Sequence, residues 1–188
     1  MCYGGLSKPI VVEWVGGNFV VWDFEASRWL YANGFYGMPI KVRKPKDLNF
    51  NSPLVLSPIE ALYLLDKGVI SIVDGDKVLS KSEVLSIVKS KHKLFNELYT
   101  VYCDLRSKGY VVRSGMKFGA DFAVYVHGPG IDHAPFLVEV LPMNERLDPV
   151  DIVRAGRLSH SVKKNFIIAM INPVTNEVTY ISFSWFKA

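Results

Sequence analysis

Three side chains capable of acid–base chemistry lie in a glycine-rich stretch, MKFGADFAVYVHGPGIDHAPFLVEV, at residues 116–140. A turn uses the glycines but does not need Tyr125, His127 or His133 beside them. If the strand continued past Tyr125, that side chain and His127 would share a face, whereas His133 stands directly before the next strand. A phenol and an imidazole at these positions could transfer protons to and from a substrate.

A second group of candidates, Arg157, His160 and Lys164, is spaced three and four residues apart in PVDIVRAGRLSHSVKKN. The apolar spacing there predicts a helix over residues 149–164, begun by Asp148 and the proline after it. On such a helix the three cationic or potentially cationic groups share one face, opposite the apolar one. This face is either a solvated basic surface or a surface that binds a phosphate.

Together the two groups meet the needs of metal-free RNA cleavage. That reaction requires a base for the 2′-hydroxyl proton, an acid for the leaving 5′-oxygen and a cation for the charge that develops on the phosphate. A rival interpretation takes Asp121 and Glu139, each in strand-like sequence, as ligands of a divalent metal in a nuclease. Such nucleases place a lysine two residues after the second acid, and here that position is Leu141.

The composition favours a folded, cytoplasmic chain with a polyanionic partner. Of 188 residues, 49% are apolar and 13% aromatic, and the net charge is +4. This positive charge favours a nucleic acid as the binding partner. The two cysteines, Cys2 and Cys103, have no metal-ligand spacing. No apolar run reaches the ~20 residues of a membrane helix, and the N-terminus lacks a signal-peptide apolar region. We therefore expect no membrane association and no cofactor.

The pattern along the chain predicts a mixed α+β fold with two domains. We expect a small β-rich α/β domain over residues 1–90 and an α/β domain over 91–188, divided near KSKHK at 89–93. The expected elements of the first domain are a hairpin turning at Gly16-Gly17-Asn18, a helix over 25–34, a basic loop KVRKPKDLN, a helix with a Ser57–Glu60 capping box that stops at Gly68, and strands about an Asp74-Gly75 turn. The expected later elements are helical segments over 82–108, strands YVVRS, ADFAVYV and PFLVEVL, the helix over 149–164, and strands NFIIAMI and VTYISFSWF.

Several of these motifs agree together with one known family. The run DLRSKGYVVRSGMKFGADFAVY, the glycine-rich loop with a histidine before FLVEV, and RLSHSVKK resemble the tRNA-splicing endonuclease family, specifically its archaeal catalytic subunit. LSPIEALYLLDKGVISI is similar to the family's first domain. The resemblance implies a C-terminal domain of the restriction-endonuclease-like (tRNA-intron endonuclease) type. It also implies a metal-independent endoribonuclease that excises introns from precursor tRNA at a bulge–helix–bulge element, leaving 2′,3′-cyclic phosphate and 5′-hydroxyl ends.

The resemblance also implies roles for individual residues. Tyr125 ends the GADFxVY motif and corresponds to the catalytic base, or to a group that orients the 2′-hydroxyl. His133 corresponds to the catalytic acid and is favoured over His127. Lys164 corresponds to the charge stabiliser. Arg157, seven residues earlier, corresponds to an arginine that stacks on a bulge base.

Trp185 could join Arg157 in holding the flipped base by cation–π contact.

The resemblance also bears on how the chain assembles. The family forms tetramers in part through an acidic loop between the last two strands, but here that loop, NPVTNE, carries only Glu177 as a charge. We therefore expect a heterotetramer with a separate non-catalytic subunit, and VTYISFSWF could pair its edge with another copy or lie within its own sheet. A non-catalytic RNA-binding or scaffold subunit of the same fold is an alternative identity, against which the complete reactive set argues.

Overall fold

The chain is described from a computed structural model and forms two compact units, Met1–Phe95 and Asn96–Ala188. Below, these are the N-terminal unit and the C-terminal unit, each considered by itself. The structure describes residues 8–40, 42, 49–90, 93–146, 148–150, 152–153, 156–157 and 164–183. In that part of the chain no helix has the length and apolar character needed to cross a bilayer.

The N-terminal unit contains a six-stranded mixed sheet in the order β3-β4-β2-β1-β5-β6. Its strands are β1 (Ile10–Val15), β2 (Asn18–Val21), β3 (Met38–Pro39), β4 (Leu54–Leu56), β5 (Ile70–Asp74) and β6 (Lys77–Val78). Its helices are α1 (Phe24–Ala32), α2 (Pro58–Asp66) and α3 (Lys81–Lys89). β1 is antiparallel to β2 and parallel to β5, so this unit is mixed α/β and rich in strands, as its sequence predicts.

Local sequence signals explain these boundaries. Gly16 and Gly17 adopt positive φ angles of 56° and 81°, which suits the tight turn of the predicted β1–β2 hairpin. The predicted capping box of α2 is also confirmed, because the Ser57 side chain accepts from the Glu60 N–H and the Glu60 carboxylate accepts from the Ser57 N–H. Glu60 is only 5% exposed and also accepts from the Gly37 N–H at 3.1 Å, so it joins the start of α2 to a distant turn.

The C-terminal unit contains a five-stranded sheet in the order β11-β10-β9-β8-β7. Its elements are α4 (Phe95–Ser107), which begins at the last residue of the N-terminal unit, and strands β7 (Val111–Ser114), β8 (Phe122–Tyr125), β9 (Phe136–Pro142), β10 (Asn165–Ile171) and β11 (Val178–Phe183), with a 3₁₀ turn at Met116–Phe118. β9 and β10 are parallel, and the other neighbouring pairs are antiparallel. Each predicted strand of this unit is therefore present, ADFAVYV only as far as Tyr125 and VTYISFSWF described as far as Phe183, and helices lie on either side of the 89–93 break.

The structure corrects the sequence interpretation at two points of the C-terminal unit. β8 ends at Tyr125 and the chain bends at His127, so these side chains do not share a strand face. Lys164 is not helical but lies directly before β10, because Asn165 donates its N–H to the Pro135 carbonyl at 2.8 Å and enters the sheet there. The described residues 149–150, 152–153 and 156–157 are helical; His160 lies outside the described residues, as does most of the predicted basic loop KVRKPKDLN.

Candidate active site

The strand register of the C-terminal unit brings three chain segments to one end of its sheet. Phe136, the first residue of β9, pairs with β8 in antiparallel fashion and with Asn165, the first residue of β10, in parallel fashion. The end of β8, the segment before β9 and the residue before β10 therefore meet at the same end of the sheet. These segments carry Tyr125, His133 and Lys164.

The Tyr125 side chain is half-buried against the core of this unit. Together with Phe118 it packs on a cluster of buried residues: Ala120, Ala123, Ala134, Leu137, Phe166 and Ile168. Small alanine side chains there leave room for the larger rings at the end of the sheet. The ring of Tyr125 is therefore held by packing.

The loop between Tyr125 and His133 is organised by the Asp132 carboxylate. Its Oδ2 accepts the N–H groups of Val126 and His127, each at 3.1 Å, and its Oδ1 accepts the Gly128 N–H at 2.7 Å. Burial opposes ionisation of this carboxyl, but the three N–H donors and the His127 side chain hold the pKa of Asp132 below its ordinary value. One carboxylate thus ties the residues after the tyrosine to the residue before His133.

Asp132 is a functional candidate that the sequence interpretation missed. The available signal was an aspartate in the glycine-rich run HGPGIDH, because aspartate side chains often accept backbone N–H groups in tight loops. Gly128 and Gly130 have positive φ angles of 136° and 90°, which let the loop fold around the carboxylate.

The two histidines of the loop occupy different positions. His133 is exposed and directly precedes Ala134, a buried residue of the core cluster. His127 is also exposed, and its backbone N–H is one of the donors to Asp132. His133 is therefore the histidine next to the carbonyl group that anchors Lys164.

Lys164 is half-buried and fixed at two points. Its Nζ donates to the Ala134 carbonyl at 2.5 Å and lies 5.3 Å from the centroid of the Phe118 ring. Burial and then the charge of Lys117 lower the pKa of Lys164 below 10.5, while the charge of Asp132 raises it. The ammonium group is therefore positioned beside the His133 segment before any substrate binds.

Comparison with known proteins assigns this chain to a family. The sequence pattern of the tRNA intron endonuclease catalytic C-terminal domain matches residues 95–180, and that of the N-terminal domain matches residues 12–85. A tRNA-splicing endonuclease of Hyperthermus butylicus is 49% identical over 175 residues, which cover 92% of this chain and 96% of that relative. The chain belongs to the tRNA-splicing endonuclease family.

Other tRNA-splicing endonucleases align over a similar length. The protein of Saccharolobus solfataricus is 44% identical, covering 92% of this chain and 96% of the relative. That of Sulfurisphaera tokodaii is 43% identical, covering 95% and 99%. The resemblance drawn from the motifs is thus confirmed, and the matched region begins at residue 12, well before the motif LSPIEALYLLDKGVISI.

The two candidates for substrate binding are Arg157 and Trp185. Arg157 is helical and exposed. Trp185 lies outside the described residues. Because Lys164 is not helical, Arg157 and Lys164 do not form the continuous helical face that their spacing predicts.

Asp121 and Glu139, the acids that the rival interpretation takes as metal ligands, lie at or within strands of the C-terminal sheet. Asp121 directly precedes β8, and its Oδ2 accepts the Val140 N–H of β9 at 2.8 Å. Glu139 is half-buried on β9. Among the residues that the structure describes, no group of three or more His, Cys, Asp or Glu side chains has an arrangement that could hold a metal ion.

Proposed function

We propose that this protein is a cytoplasmic, metal-independent endoribonuclease that excises introns from precursor tRNA. Cleavage at a bulge–helix–bulge element would leave 2′,3′-cyclic phosphate and 5′-hydroxyl ends. The observation that carries this proposal is the arrangement of Tyr125, His133 and Lys164 at one end of the C-terminal sheet, in a chain of the tRNA-splicing endonuclease family.

In the proposed reaction the 2′-oxygen at the cut site attacks the adjacent phosphorus, and the bond from phosphorus to the 5′-oxygen breaks. Tyr125 contacts the attacking hydroxyl and, as the phenolate, takes its proton; if it only orients the hydroxyl, the proton passes to a non-bridging oxygen of the phosphate. His133 donates a proton to the leaving 5′-oxygen, for which its exposed position is suited. One proton leaves the 2′-oxygen and one reaches the 5′-oxygen. Because the attacking 2′-oxygen stays bonded to phosphorus and no water enters this step, the product is a cyclic phosphate.

Lys164 is proposed to stabilise the negative charge that develops on the phosphate. A cation that the fold already holds stabilises a transition state without reorganisation at the moment of reaction. The Ala134 carbonyl and the Phe118 ring provide that positioning here. Arg157 is proposed to stack on a bulge base, together with Trp185.

The proposal is tested by incubating a bulge–helix–bulge RNA with the complete assembly, with and without excess EDTA, and analysing the new ends. We expect equal cleavage in both samples and cyclic phosphate ends. Loss of cleavage in EDTA would support the metal interpretation with Asp121 and Glu139. Binding without cleavage, even with all partner subunits present, would support a scaffold role.

We further propose that the protein acts in a heterotetramer with a non-catalytic subunit. The loop between β10 and β11 is tightly folded, because the Asn172 side chain accepts the N–H groups of Val174 and Thr175. Its one charged residue is Glu177, which accepts from the Thr175 hydroxyl, so a second subunit is proposed to supply the acidic loop. Native mass measurement of this chain purified alone tests the idea: a stable, active homotetramer would refute it.

A further inference from the structure

A second lysine lies at the same end of the C-terminal sheet as the candidate catalytic residues. Lys117 is exposed, and its Nζ lies 4.5 Å from the centroid of the Phe118 ring. The Nζ of Lys164 lies 5.3 Å from the same centroid. The two ammonium groups are thus within about one Debye length of each other, roughly 10 Å at 0.1 M salt, and they repel. The effect of Lys117 on the pKa of Lys164 has the same origin.

The turn that carries Lys117 is held by backbone hydrogen bonds and fits closely against the sheet. Phe118 and Ala120 both donate their N–H groups to the Gly115 carbonyl, at 2.7 and 3.3 Å. A side chain at Gly115 would meet the Ala120 carbonyl oxygen and the backbone of Phe122 at 2.7 Å, so the turn fits closely against the start of β8. Gly119 ends it with a φ of 70°. The backbone position of Lys117 is therefore set by these hydrogen bonds and by the close fit at Gly115.

Among the described residues, the charges that act on Lys164 are those of Lys117 and Asp132, so the two lysines and this carboxylate together carry a net positive charge. Asp132 is the acidic group that acts on Lys164, and its carboxylate already accepts three backbone N–H groups. Lys117 and Lys164 share the Phe118 ring, and the Asp132 carboxylate is already occupied by backbone N–H groups. The two lysines are therefore suited to bind a polyanion, because an anion between or beside them relieves their repulsion. Met116, 83% exposed on the same turn, adds an apolar surface next to the cation.

We propose that Lys117 binds a backbone phosphate of the RNA strand next to the scissile phosphate, which Lys164 contacts. This inference rests on the proposed function. It assigns Lys117 to substrate binding and leaves the chemical step to Tyr125, His133 and Lys164. Phe118 serves as the common platform that fixes the spacing between the two cations.

The test compares K117Q, K117R and wild type in their affinity for a bulge–helix–bulge RNA in which hydrogen replaces the 2′-hydroxyl at each cut site. Affinity is measured between about 50 and 200 mM salt with the complete assembly. We expect K117Q to bind about three- to tenfold more weakly at ~100 mM salt and to lower the slope of log affinity against log salt by about 0.7–1, the value of one phosphate contact. K117R should retain the wild-type slope.

Lys67 offers a matched control in the N-terminal unit. It is also an exposed lysine over an aromatic ring, with its Nζ 5.5 Å from the centroid of Tyr63. K67Q removes the same charge and the same type of contact, and we expect it to keep the wild-type slope. An unchanged slope in K117Q, or a slope that falls equally in K67Q, would overturn the proposal.

Cleavage of the unmodified RNA keeps this proposal separate from the proposed function. If wild type cleaves it and K117Q binds with an unchanged slope, the function stands and the inference about Lys117 is wrong. If K117Q loses its rate at saturating protein while its affinity is unchanged, Lys117 is not a binding residue and the inference is also wrong. A wild-type assembly that does not cleave the RNA refutes the function itself.

Discussion

Replacement of Asp132 tests whether one carboxylate positions the active-site loop. In D132A the N–H groups of Val126, His127 and Gly128 lose their common acceptor. D132N is the sharper variant, because an amide has one accepting oxygen whereas Asp132 accepts at both. In D132N the NH₂ group of the side chain must face either the Gly128 N–H or the N–H groups of Val126 and His127.

The magnitude follows from the burial of the three donors. Gly128 is buried, and a buried N–H without an acceptor costs about 1–3 kcal/mol. The bonds to Val126 and His127 are exposed, so water replaces most of their contribution. We take about 2 kcal/mol as the total for D132A, which corresponds to a fall in kcat of ~30-fold if the ordered loop is required for reaction. D132N should fall about tenfold.

Single-turnover cleavage at saturating protein measures this effect, with RNA affinity measured in parallel. We expect kcat to fall while affinity changes less than about threefold, because the loop residues position the acid and do not supply the main phosphate contacts. In D132N the alkaline decline of kcat should also move to lower pH. Asp132 raises the pKa of Lys164 against the opposing charge of Lys117, so its loss lets the ammonium group deprotonate sooner.

A helix cap in the N-terminal unit provides the control for general destabilisation. Asp23 accepts the Ala26 N–H at 2.7 Å at the start of α1, and D23A should cost about 1 kcal/mol of stability without changing kcat. A D132A protein with the wild-type kcat, or one whose loss of rate is matched by D23A, would refute the positioning role.

The remaining predictions concern the reactive residues and the N-terminal unit. H133A should abolish cleavage and leave RNA affinity nearly intact, whereas H127A should stay active; the reverse pattern would show that the wrong histidine was chosen. K164A should lower kcat about 10²–10³-fold, since one preorganised charge stabiliser contributes ~3–4 kcal/mol, and a tenfold effect or less would make Lys164 a binding residue. In wild type, kcat should decline with alkaline pH below the ordinary lysine pKa of 10.5, because burial and then the charge of Lys117 lower the pKa of Lys164 and activity requires its cation; a decline above 10.5 would contradict this. E60A should reduce the unfolding free energy by about 2–3 kcal/mol, more than the ~1 kcal/mol of S57A, because Glu60 also binds the Gly37 N–H; equal melting of the two variants would contradict the difference.

Local signals predicted most of the elements, because each depends on neighbouring residues. The capping box at Ser57 and the glycine turn at Gly16 act within a few residues, and both are present. The sequence also contains the signal for a second capping box, Ser80 with Glu83, which was not used in the prediction. The structure has this capping box, and α3 begins directly after Ser80. The helix α1 stops at Ala32, before the predicted Gly34, and the Asn33 side chain caps its end by donating to the Trp29 carbonyl.

The candidate site could be predicted only in part, because its geometry depends on pairing across the sheet. Residue types and spacing selected Tyr125, His133 and Lys164. The prediction that Lys164 lies on a helical face with Arg157 was wrong. Parallel pairing of β10 with β9 places Lys164 directly before a strand and outside the helix. Asp132 and Lys117 were missed because their importance arises from contacts between segments: a carboxylate that closes a loop, and two lysines that share one ring.

The central claim is that the 2′-hydroxyl at the cut site is the nucleophile and that no metal takes part. Its most direct measurement is the cleavage, in excess EDTA, of a bulge–helix–bulge RNA carrying a single 2′-deoxy substitution at one cut site. We predict that this site stays intact while the unmodified site in the same molecule is cut to a cyclic phosphate. Cleavage at the deoxy site would show that water or another group attacks the phosphorus, and it would contradict the roles given to Tyr125, His133 and Lys164.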